Sequence, residues 1–399
     1  MNAVRTIQRF NAGRDPERLA MKYKNLRKSP FVFLRGTCHL FYDRLPAARM
    51  RVKAPLVWAC GDLHLENFGS FKGDNRLVYF DINDFDESAL APASWDLVRF
   101  LTSVLLAADD LKADAGGARS LCNAFVRAYA AALANGSPRW VERDTASGLV
   151  EELLGSLENR TRVQHLNERT QRRQGQRTIR CDGKRAMPVS QAERDRVTKM
   201  IASHVRAQAR PGFFEVLDVA HRIAGTGSLG LERYVVLIEG KGSPNGNYLL
   251  DLKQAVPSSL VPHLNTAQPA WLTQARRIVA VQQRVQAAPM AFLHPIERRT
   301  RSYVLRGLQP SEDRVGLYEP GVGFEKIRSV VEAMGRIVAW GQLRSSGRQG
   351  SAIADELIAF GSTRKAWHDE LVSAARRCAK LVRKDWAAFS AAYDAGQLG

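Results

Sequence analysis

The segment GDLHLENFG, residues 61–69, and the segment LVYFDINDFDE, residues 77–87, form the densest group of polar side chains in the chain. Asp62 and Asn67 stand five positions apart, and the apolar residues that open the second segment predict a short strand that ends at Asp81. Phosphoryl transfer needs one carboxylate to orient the attacking hydroxyl, and an amide and a second carboxylate to hold Mg²⁺ on the phosphates. The pattern therefore indicates a phosphoryl-transfer site in which Asp62 acts on the acceptor while Asn67 and Asp81 bind Mg²⁺.

The same aspartates also have a purely structural interpretation. Taken singly, Asp62, Asp81, Asp84 and Asp86 are each typical of turns and helix N-caps, because Asp hydrogen-bonds readily to nearby backbone groups. Their combination with an asparagine at this spacing favours the functional interpretation.

Three further polar residues near these segments are candidates with alternatives. Asp96 lies near the start of a region with a helical pattern, from Trp95 to about Ala134, where capping alone would explain a carboxylate. His64 is interpreted as a polar loop histidine rather than as a ligand or base. Arg35, in an apolar run, is either a bidentate phosphate ligand or the structural partner of an acidic-loop carboxylate.

A glycine-rich turn follows much later in the chain, in DVAHRIAGTGSLG, residues 218–230. A dinucleotide-binding turn would lead into a helix, but here the β-branched and aromatic run LERYVVLIEG predicts a strand. Such a strand–turn–strand is typical of a loop that covers nucleotide phosphates, with Lys253 on a following strand as the phosphate-binding cation. The alternative is a flexible hairpin with a surface lysine, which the leucines around Lys253 disfavour. The candidate nucleotide ligands are Gly225, Gly227, Ser228, Gly230 and Lys253.

Composition and charge restrict the class of protein. The chain has 399 residues, of which 45% are hydrophobic and 25% charged, so it can bury a core and is not globally disordered. Its formal net charge of +19 favours anionic partners such as nucleotides, nucleic acid or phosphorylated metabolites. No uncharged apolar run is long enough to span a membrane, the N-terminal residues lack a secretory h-region, and the five cysteines have no zinc spacing. We therefore expect a cytoplasmic protein without a membrane span.

The motifs resemble those of known kinases. DLHLEN is similar to the DLKPEN-type catalytic loop of protein kinases and to the GDLHPGN loop of aminoglycoside-phosphotransferase-like kinases. By this resemblance Asp62 would be the catalytic base, Asn67 a metal ligand, and Asp81 the counterpart of the aspartate in the DFG motif. Asp96 of the WDL motif would support the catalytic loop, and the glycine turn with Lys253 would belong to the small lobe.

The full set of motifs resembles a bacterial family of unknown function, numbered 2252. FLRGT, GDLHLENFG, FDINDFDE, WDL, GTGSLG and LDLKQA occur in that order, and the likeness covers roughly residues 15–390. The resemblance implies a kinase-like fold and does not supply the substrate.

The order of the motifs differs from that of ordinary kinases, in which the glycine loop and the lysine precede the catalytic loop. Here they follow Asp62 by more than 150 residues. We therefore predict an α+β, protein-kinase-like two-lobed fold that is circularly permuted, with the large-lobe catalytic elements before the small-lobe sheet. Two departures accompany this order: Cys60 stands where many kinases have His, and the helix predicted over residues 274–286 contains no Glu to pair with Lys253.

On this interpretation the chain divides into four regions. Residues 1–55 form a basic segment packed on the catalytic core, and residues 56–213 contain the large-lobe elements. Within the latter, the arginine-rich stretch 159–185 is expected to be a solvated loop or flexible insertion. Residues 214–310 form the small-lobe-like sheet with its glycine loop, lysine strand and helix, and residues 311–399 are helical.

Two classes of function fit these observations. The first is an ATP-dependent phosphotransferase that uses Mg²⁺ and a small-molecule or protein hydroxyl acceptor, with nucleotidyl transfer by the same parts as a variant. The second is a protein without this chemistry. It would be either a catalytically weak or inactive nucleotide-binding protein or a basic protein that binds nucleic acid through its arginine-rich stretch.

Overall fold

The computed structural model describes residues 2–48, 50–205, 211–298, 300–309 and 313–398, and it shows an α+β protein. Its helices are α1 (Ala3–Phe10), α2 (Pro16–Leu26), α3 (Pro30–Gly36), α4 (Cys38–Arg44), α5 (Ala93–Leu106), α6 (Ala115–Asn135), α7 (Gly148–Glu158), α8 (Arg162–Arg169), α9 (Gln191–Val205), α10 (Gln274–Val285), α11 (Phe324–Arg344), α12 (Ala354–Ser362) and α13 (Arg364–Asp394). Its strands are β1 (Leu56–Ala59), β2 (Phe68–Lys72), β3 (Val78–Ile82), β4 (Ala89–Pro92), β5 (Thr170–Arg173), β6 (Gln176–Ile179), β7 (Ala186–Met187), β8 (Val216–Arg222), β9 (Arg233–Ile238), β10 (Tyr248–Ala255), β11 (His294–Glu297) and β12 (Ser302–Gly307). None of the helices in the described ranges is both long enough and apolar enough to cross a bilayer.

Six strands form one antiparallel sheet in the order β11-β12-β10-β9-β8-β7. The glycine-rich turn joins β8 to β9, so the prediction of a strand–turn–strand is confirmed. Lys253 lies on β10, the third strand of this run, where it is paired with Arg233 of β9 and Val304 of β12.

The two faces of this sheet differ in chemistry because side chains alternate along each strand. One face packs against α9 and is apolar; it includes Tyr234, Val236, Leu252 and Leu305. The other face is charged at the end where the glycine turn lies; it includes Arg233, Asp251, Lys253 and Arg306. The alternation therefore directs a group of buried charges toward one side of the sheet.

The largest apolar core lies among the helices and takes residues from both ends of the chain, from 3–154 and from 255–398. α11 approaches α6 closely because Gly335 has no side chain: a Cβ there would lie 2.5 Å from the carbonyl oxygen of Phe125. The N-terminal helices α1, α3 and α4 pack against α13, so the basic segment 1–55 is part of this core.

The arginine-rich stretch 159–185 contains regular structure, so the expectation of a loop is wrong, whereas most of its residues are exposed to solvent as expected. It contains α8 and the β5–β6 hairpin. Arg177 is only 2% exposed, and its guanidinium donates to Asn167 Oδ1 at 2.8 Å, to Thr170 Oγ1 at 2.9 Å and to the carbonyl oxygen of Pro244. Composition alone misled here because an arginine can be buried when its donors find acceptors.

Candidate active site

A cleft with about 1210 Å³ of empty space, its open mouth included, lies where the charged face of the sheet meets the loops after β1 and β3. Among the candidate residues, those that line it are Arg35, Asp62, Asn67, Gly225, Gly227, Ser228 and Lys253. The candidates outside its lining are Asp81, Asp96 and Gly230. The fold therefore brings the acidic segment and the glycine turn into one site although they are far apart in sequence.

The loop after β1 holds Asp62 in a fixed backbone conformation. Gly61 has a φ of +81°, and a Cβ at this position would lie 2.1 Å from the carbonyl oxygen of Glu87, so only glycine fits. The carboxylate of Asp96 accepts hydrogen bonds from the backbone N–H groups of Cys60 at 2.9 Å and Gly61 at 3.0 Å. Asp96 therefore binds the backbone of the loop and does not line the cleft. Burial raises its pKa to about 6, against the effect of these hydrogen bonds.

Asp62 is oriented by an arginine that the sequence analysis did not single out. Arg99 of α5 is fully buried, and its Nε donates to Asp62 Oδ1 at 2.9 Å. Its Nη2 donates both to the same Oδ1 and, at 3.0 Å, to the carbonyl oxygen of Leu34. Burial raises the pKa of the Asp62 carboxyl, and Arg99 opposes that rise. The available signal was the one basic residue within the apolar periodicity of α5.

Asn67 connects the loop after β1 to the acidic turn after β3. Its Nδ2 donates to the carbonyl oxygen of Asp62 at 2.9 Å and to that of Asp84 at 3.3 Å. With Nδ2 used in this way, Oδ1 remains as the atom of Asn67 that can bind a ligand.

The structure does not place Asp81 in the cleft. Its carboxylate accepts from the backbone N–H groups of Ile82 at 2.8 Å and Ala287 at 3.0 Å, and it pairs with Arg344, whose Nη2 lies 3.4 Å from Oδ2. It is 2% exposed. The predicted metal ligand thus serves a structural hydrogen-bond network at the end of β3.

Asp84 and Asp86 line the cleft instead. Lys253 Nζ lies 3.2 Å from Asp84 Oδ2 and also forms an ion pair with Asp86. Burial would raise the pKa of Asp84, but Lys253 and nearby arginines outweigh it and lower the pKa to about 2; burial and the charge of Asp84 raise that of Asp86. Sequence reasoning could have found Asp84, because it is followed by Phe85 as in the DFG motif whereas Asp81 is followed by Ile82.

The helix after the lysine strand contacts the acidic turn through an arginine. Arg277 of α10 is buried, and its guanidinium donates to the carbonyl oxygen of Asp86 at 2.8 Å, to that of Val256 at 3.0 Å and to Ser88 Oγ at 3.1 Å. α10 contains no glutamate that could pair with Lys253. The two aspartates balance the lysine, and Arg277 fixes the helix to their loop.

Beside Lys253, three arginines surround one buried carboxylate. Asp251 is fully buried and pairs with Arg222 at 2.7 Å (Nη1 to Oδ2), Arg233 at 2.8 Å (Nη2 to Oδ2) and Arg306 at 3.3 Å (Nε to Oδ2). We call these four residues the arginine cluster. Burial would raise the pKa of Asp251, but the guanidinium groups hold it well below its usual range. Because all three arginines line the cleft, the cluster presents excess positive charge there.

The glycine turn lines the cleft next to the arginine cluster. Gly225 and Gly230 have φ of +73° and +87°, the left-handed region that favours glycine. Within the described residues, the backbone N–H groups of Gly225, Thr226 and Gly227 donate no hydrogen bond. Free N–H groups in a turn, next to excess positive charge, are suited to bind phosphate oxygens.

The residues present suit a metal ion that arrives with a ligand. In the described ranges no group of three or more His, Cys, Asp or Glu side chains is arranged to hold a metal by itself. Mg²⁺ is commonly bound by one or two carboxylates and by phosphate oxygens, with water completing its shell. Asp84 and Asp86 with Asn67 Oδ1 match that donor set.

Comparison with known proteins identifies the family of the chain. A family model described as "Uncharacterized protein conserved in bacteria (DUF2252)" matches residues 14–392. No curated protein and no solved structure is significantly similar to the chain. The matched residues include every lining residue of the cleft except Phe10. Because the match covers most of the chain, the chain belongs to the bacterial family of uncharacterised proteins DUF2252.

Proposed function

We propose that the protein is an ATP-dependent phosphotransferase that moves the γ-phosphoryl group of Mg²⁺-bound ATP to a hydroxyl acceptor in this cleft. The observation that carries the proposal is the set of groups that line one cleft. A glycine turn with free N–H groups, Lys253 and the arginine cluster line it together with Asp62, Asn67 and Asp84. These are the groups needed to hold a triphosphate, to hold its metal and to orient an attacking hydroxyl.

The proposal includes a kinase-like fold in permuted order. In protein kinases the glycine-rich loop precedes a lysine on the third strand, and a helix follows. Here the turn joins β8 to β9, Lys253 lies on the next strand β10, and α10 follows. Asp62 precedes all of them in sequence but lines the same cleft, which supports circular permutation as the origin of the motif order.

Nucleotide binding would use the charged face of the sheet. The free N–H groups of the glycine turn and the guanidinium groups of the arginine cluster would bind phosphate oxygens, and Lys253 would contact the phosphates from β10. Asn67, Asp84 and Asp86 would hold Mg²⁺, which would offset charge on the transferring group. Lys253 pairs with Asp84 and Asp86 in the structure, so the metal would share these two carboxylates with the lysine.

In the transfer step, the acceptor hydroxyl oxygen forms a bond to the γ-phosphorus while the bond from that phosphorus to the bridging oxygen breaks. The electron pair of the broken bond leaves with ADP, and the hydroxyl proton passes to Asp62. Arg99 binds Oδ1 of Asp62, which leaves Oδ2 to receive that proton. Asp96 keeps the loop in place by binding two of its backbone N–H groups.

Thermal unfolding with and without Mg²⁺-ATP tests this proposal. A ligand that binds only the folded state stabilises it by about 2.7 kcal/mol at 100 times its dissociation constant. We expect an upward shift of Tm for the wild type with Mg²⁺-ATP, a smaller one with ATP alone and none with Mg²⁺ alone. The shift should disappear in Lys253→Met.

Lys326→Met is the matched control, because Lys326 also pairs with a carboxylate, Glu152 at 2.9 Å, but on an exposed surface. It should retain the full shift. No shift in the wild type with either ATP or GTP, or an equal shift in Lys253→Met, would refute the proposed nucleotide site.

A further inference from the structure

Residues 3–44, which we call the N-terminal bridge, contain α1 to α4 and the turns between them. They bind backbone carbonyl groups of the glycine turn. Arg14 Nη1 donates to the carbonyl oxygens of Gly227 at 2.8 Å and Leu229 at 2.9 Å. Lys22 Nζ donates to Gly227 O at 2.9 Å, and the N–H of Asp15 donates to the carbonyl oxygen of Gly230 at 3.1 Å. These contacts use the carbonyl groups of the turn and leave its N–H groups free.

The same bridge contacts the loop that carries Asp62. Tyr42 Oη donates to the carbonyl oxygen of Gly61 at 2.6 Å, and Arg35 Nη1 lies 2.6 Å from Glu66 Oε2. Arg99, the partner of Asp62, donates to the carbonyl oxygen of Leu34 in α3. The bridge therefore joins both walls of the cleft where the glycine turn meets the Asp62 loop.

The bridge contributes directly to the lining of the cleft. Phe10, Arg14, Arg35, Gly36 and Cys38 of the bridge line it together with Asp62. An acceptor that reaches Asp62 must fit inside the cleft.

The charges of the bridge indicate what kind of acceptor fits. Arg14 lines the cleft, and among the described residues it forms no ion pair with a carboxylate; Glu87 is the acidic group that acts on its charge, from beyond ion-pair distance. Arg35 and Arg314 share one carboxylate, that of Glu66, at 2.6 Å each. Partly buried cations with too few counterions favour an anionic ligand. Burial lowers the pKa of Arg14 to about 10, which leaves its guanidinium charged at neutral pH.

We propose that the acceptor is a small hydroxylated molecule with an anionic group, enclosed by the N-terminal bridge and recognised there by Arg14 and Arg35. The inference rests on the proposed phosphotransferase function and names the substrate class of that site. The arginine cluster and Lys253 on the sheet serve the nucleotide, whereas the bridge supplies separate cations for the second substrate.

The test measures transfer of ³²P from [γ-³²P]ATP, in the presence of Mg²⁺, to matched pairs of acceptors. The pairs are glycerol and glycerol 3-phosphate, ribose and ribose 5-phosphate, and inositol and inositol 1-phosphate, with dephosphorylated casein as the protein acceptor. We expect label in at least one phosphorylated member, at least tenfold faster than in its neutral counterpart, and none in casein. Faster labelling of casein or of the neutral members would overturn the inference, and so would the absence of label in all of them.

Variants of Arg14 separate recognition from support of the fold. Arg14→Gln keeps a polar side chain but removes the charge, whereas Arg14→Lys keeps the charge. We expect the KM for the anionic acceptor to rise about 10- to 100-fold in the first variant, with little change in the KM for ATP, and to recover in the second. Equal changes in both KM values would indicate a structural role only. Arg328→Gln, on the exposed face of α11, is the control.

Failure of this inference can be distinguished from failure of the proposed function. Stabilisation by Mg²⁺-ATP that depends on Lys253, combined with labelling of neutral or protein acceptors, would retain the phosphotransferase and reject the anionic small acceptor. The absence of any Mg²⁺-ATP stabilisation would reject the phosphotransferase and this inference with it.

Discussion

Replacing Asp251 with Asn should destabilise the protein far more than the same replacement of a surface aspartate that an arginine binds in the same bidentate manner. Asp251 is fully buried, and both of its oxygens accept from Arg233 while Oδ2 also meets Arg222 and Arg306. In Asp251→Asn the negative charge is lost and one oxygen becomes an N–H donor that faces guanidinium groups. Three cations of the arginine cluster are then left without their common counterion.

The magnitude follows from this burial. Removing one partner of a buried ion pair costs about 3–5 kcal/mol of unfolding free energy. The entropy of unfolding is about 2.1 cal/mol/K per residue near 60 °C, so this cost lowers the Tm of a 399-residue chain by about 4–6 °C. Because the arginines keep the pKa of Asp251 well below its usual range, its contribution is present above the unfolded-state pKa and is lost only in strong acid. The difference in Tm between the wild type and Asp251→Asn should therefore stay constant from about pH 5 to about pH 8.

Asp394→Asn supplies the matched control. Arg27 binds Asp394 in the same bidentate manner, with Nε 3.0 Å from Oδ1 and Nη2 2.9 Å from Oδ2, but the two side chains are 42% and 54% exposed. An ion pair that is exposed to solvent contributes little to stability, so the Tm of Asp394→Asn should fall by no more than about 1 °C. Calorimetry of both variants provides the comparison. Equal shifts in the two, or a shift below 1 °C in Asp251→Asn, would refute the argument from burial.

Two further predictions concern Asp62 and its neighbour Glu87. Arg99→Met should lower the rate of phosphotransfer about 100-fold, because Asp62 loses the group that orients it, while stabilisation by Mg²⁺-ATP persists. Assays of both quantities on the same preparation check this, and an unchanged rate would contradict it. Burial raises the pKa of Glu87 to about 7, so the folded state holds a proton that the unfolded state releases at lower pH. The stabilising contribution of Glu87 therefore falls as pH rises through that value, and Glu87→Gln should gain Tm relative to the wild type at pH 8 but not at pH 4.5. Melting curves of the wild type and Glu87→Gln, recorded at a series of pH values across this range, measure the difference in Tm. A difference that does not change with pH would count against the prediction.

The part of the candidate site that sequence analysis located best is local. Asp62 and Asn67 stand within one loop, and the Nδ2 of Asn67 reaches the carbonyl oxygen of Asp62 across five positions. The choice between Asp81 and Asp84 was harder. Both lie near the end of β3. Only the tertiary structure shows that Asp81 binds the backbone N–H of Ala287 and the side chain of Arg344.

The charge partners of the site could not be predicted in this way. Arg99 lies on α5 and Arg277 on α10, and neither arginine has an evident partner in the sequence around it. Arg177 shows the opposite error. The composition of the stretch around it predicted exposure to solvent, but its guanidinium binds acceptors inside the protein. In each case the acceptors that satisfy the guanidinium come from other elements, so the pattern around the arginine does not reveal them.

The sequence by itself determined the alternation of the strands, the glycine turn between β8 and β9, the position of Lys253 on the next strand and the spacing within the Asp62 loop. These depend on backbone conformation and side-chain period over a few residues. The tertiary structure alone decided that Lys253 meets Asp84, 169 positions away, and that the N-terminal bridge joins the two walls of the cleft. Such contacts form only when the separate elements pack, because a buried charge takes whichever counterion the fold brings within reach.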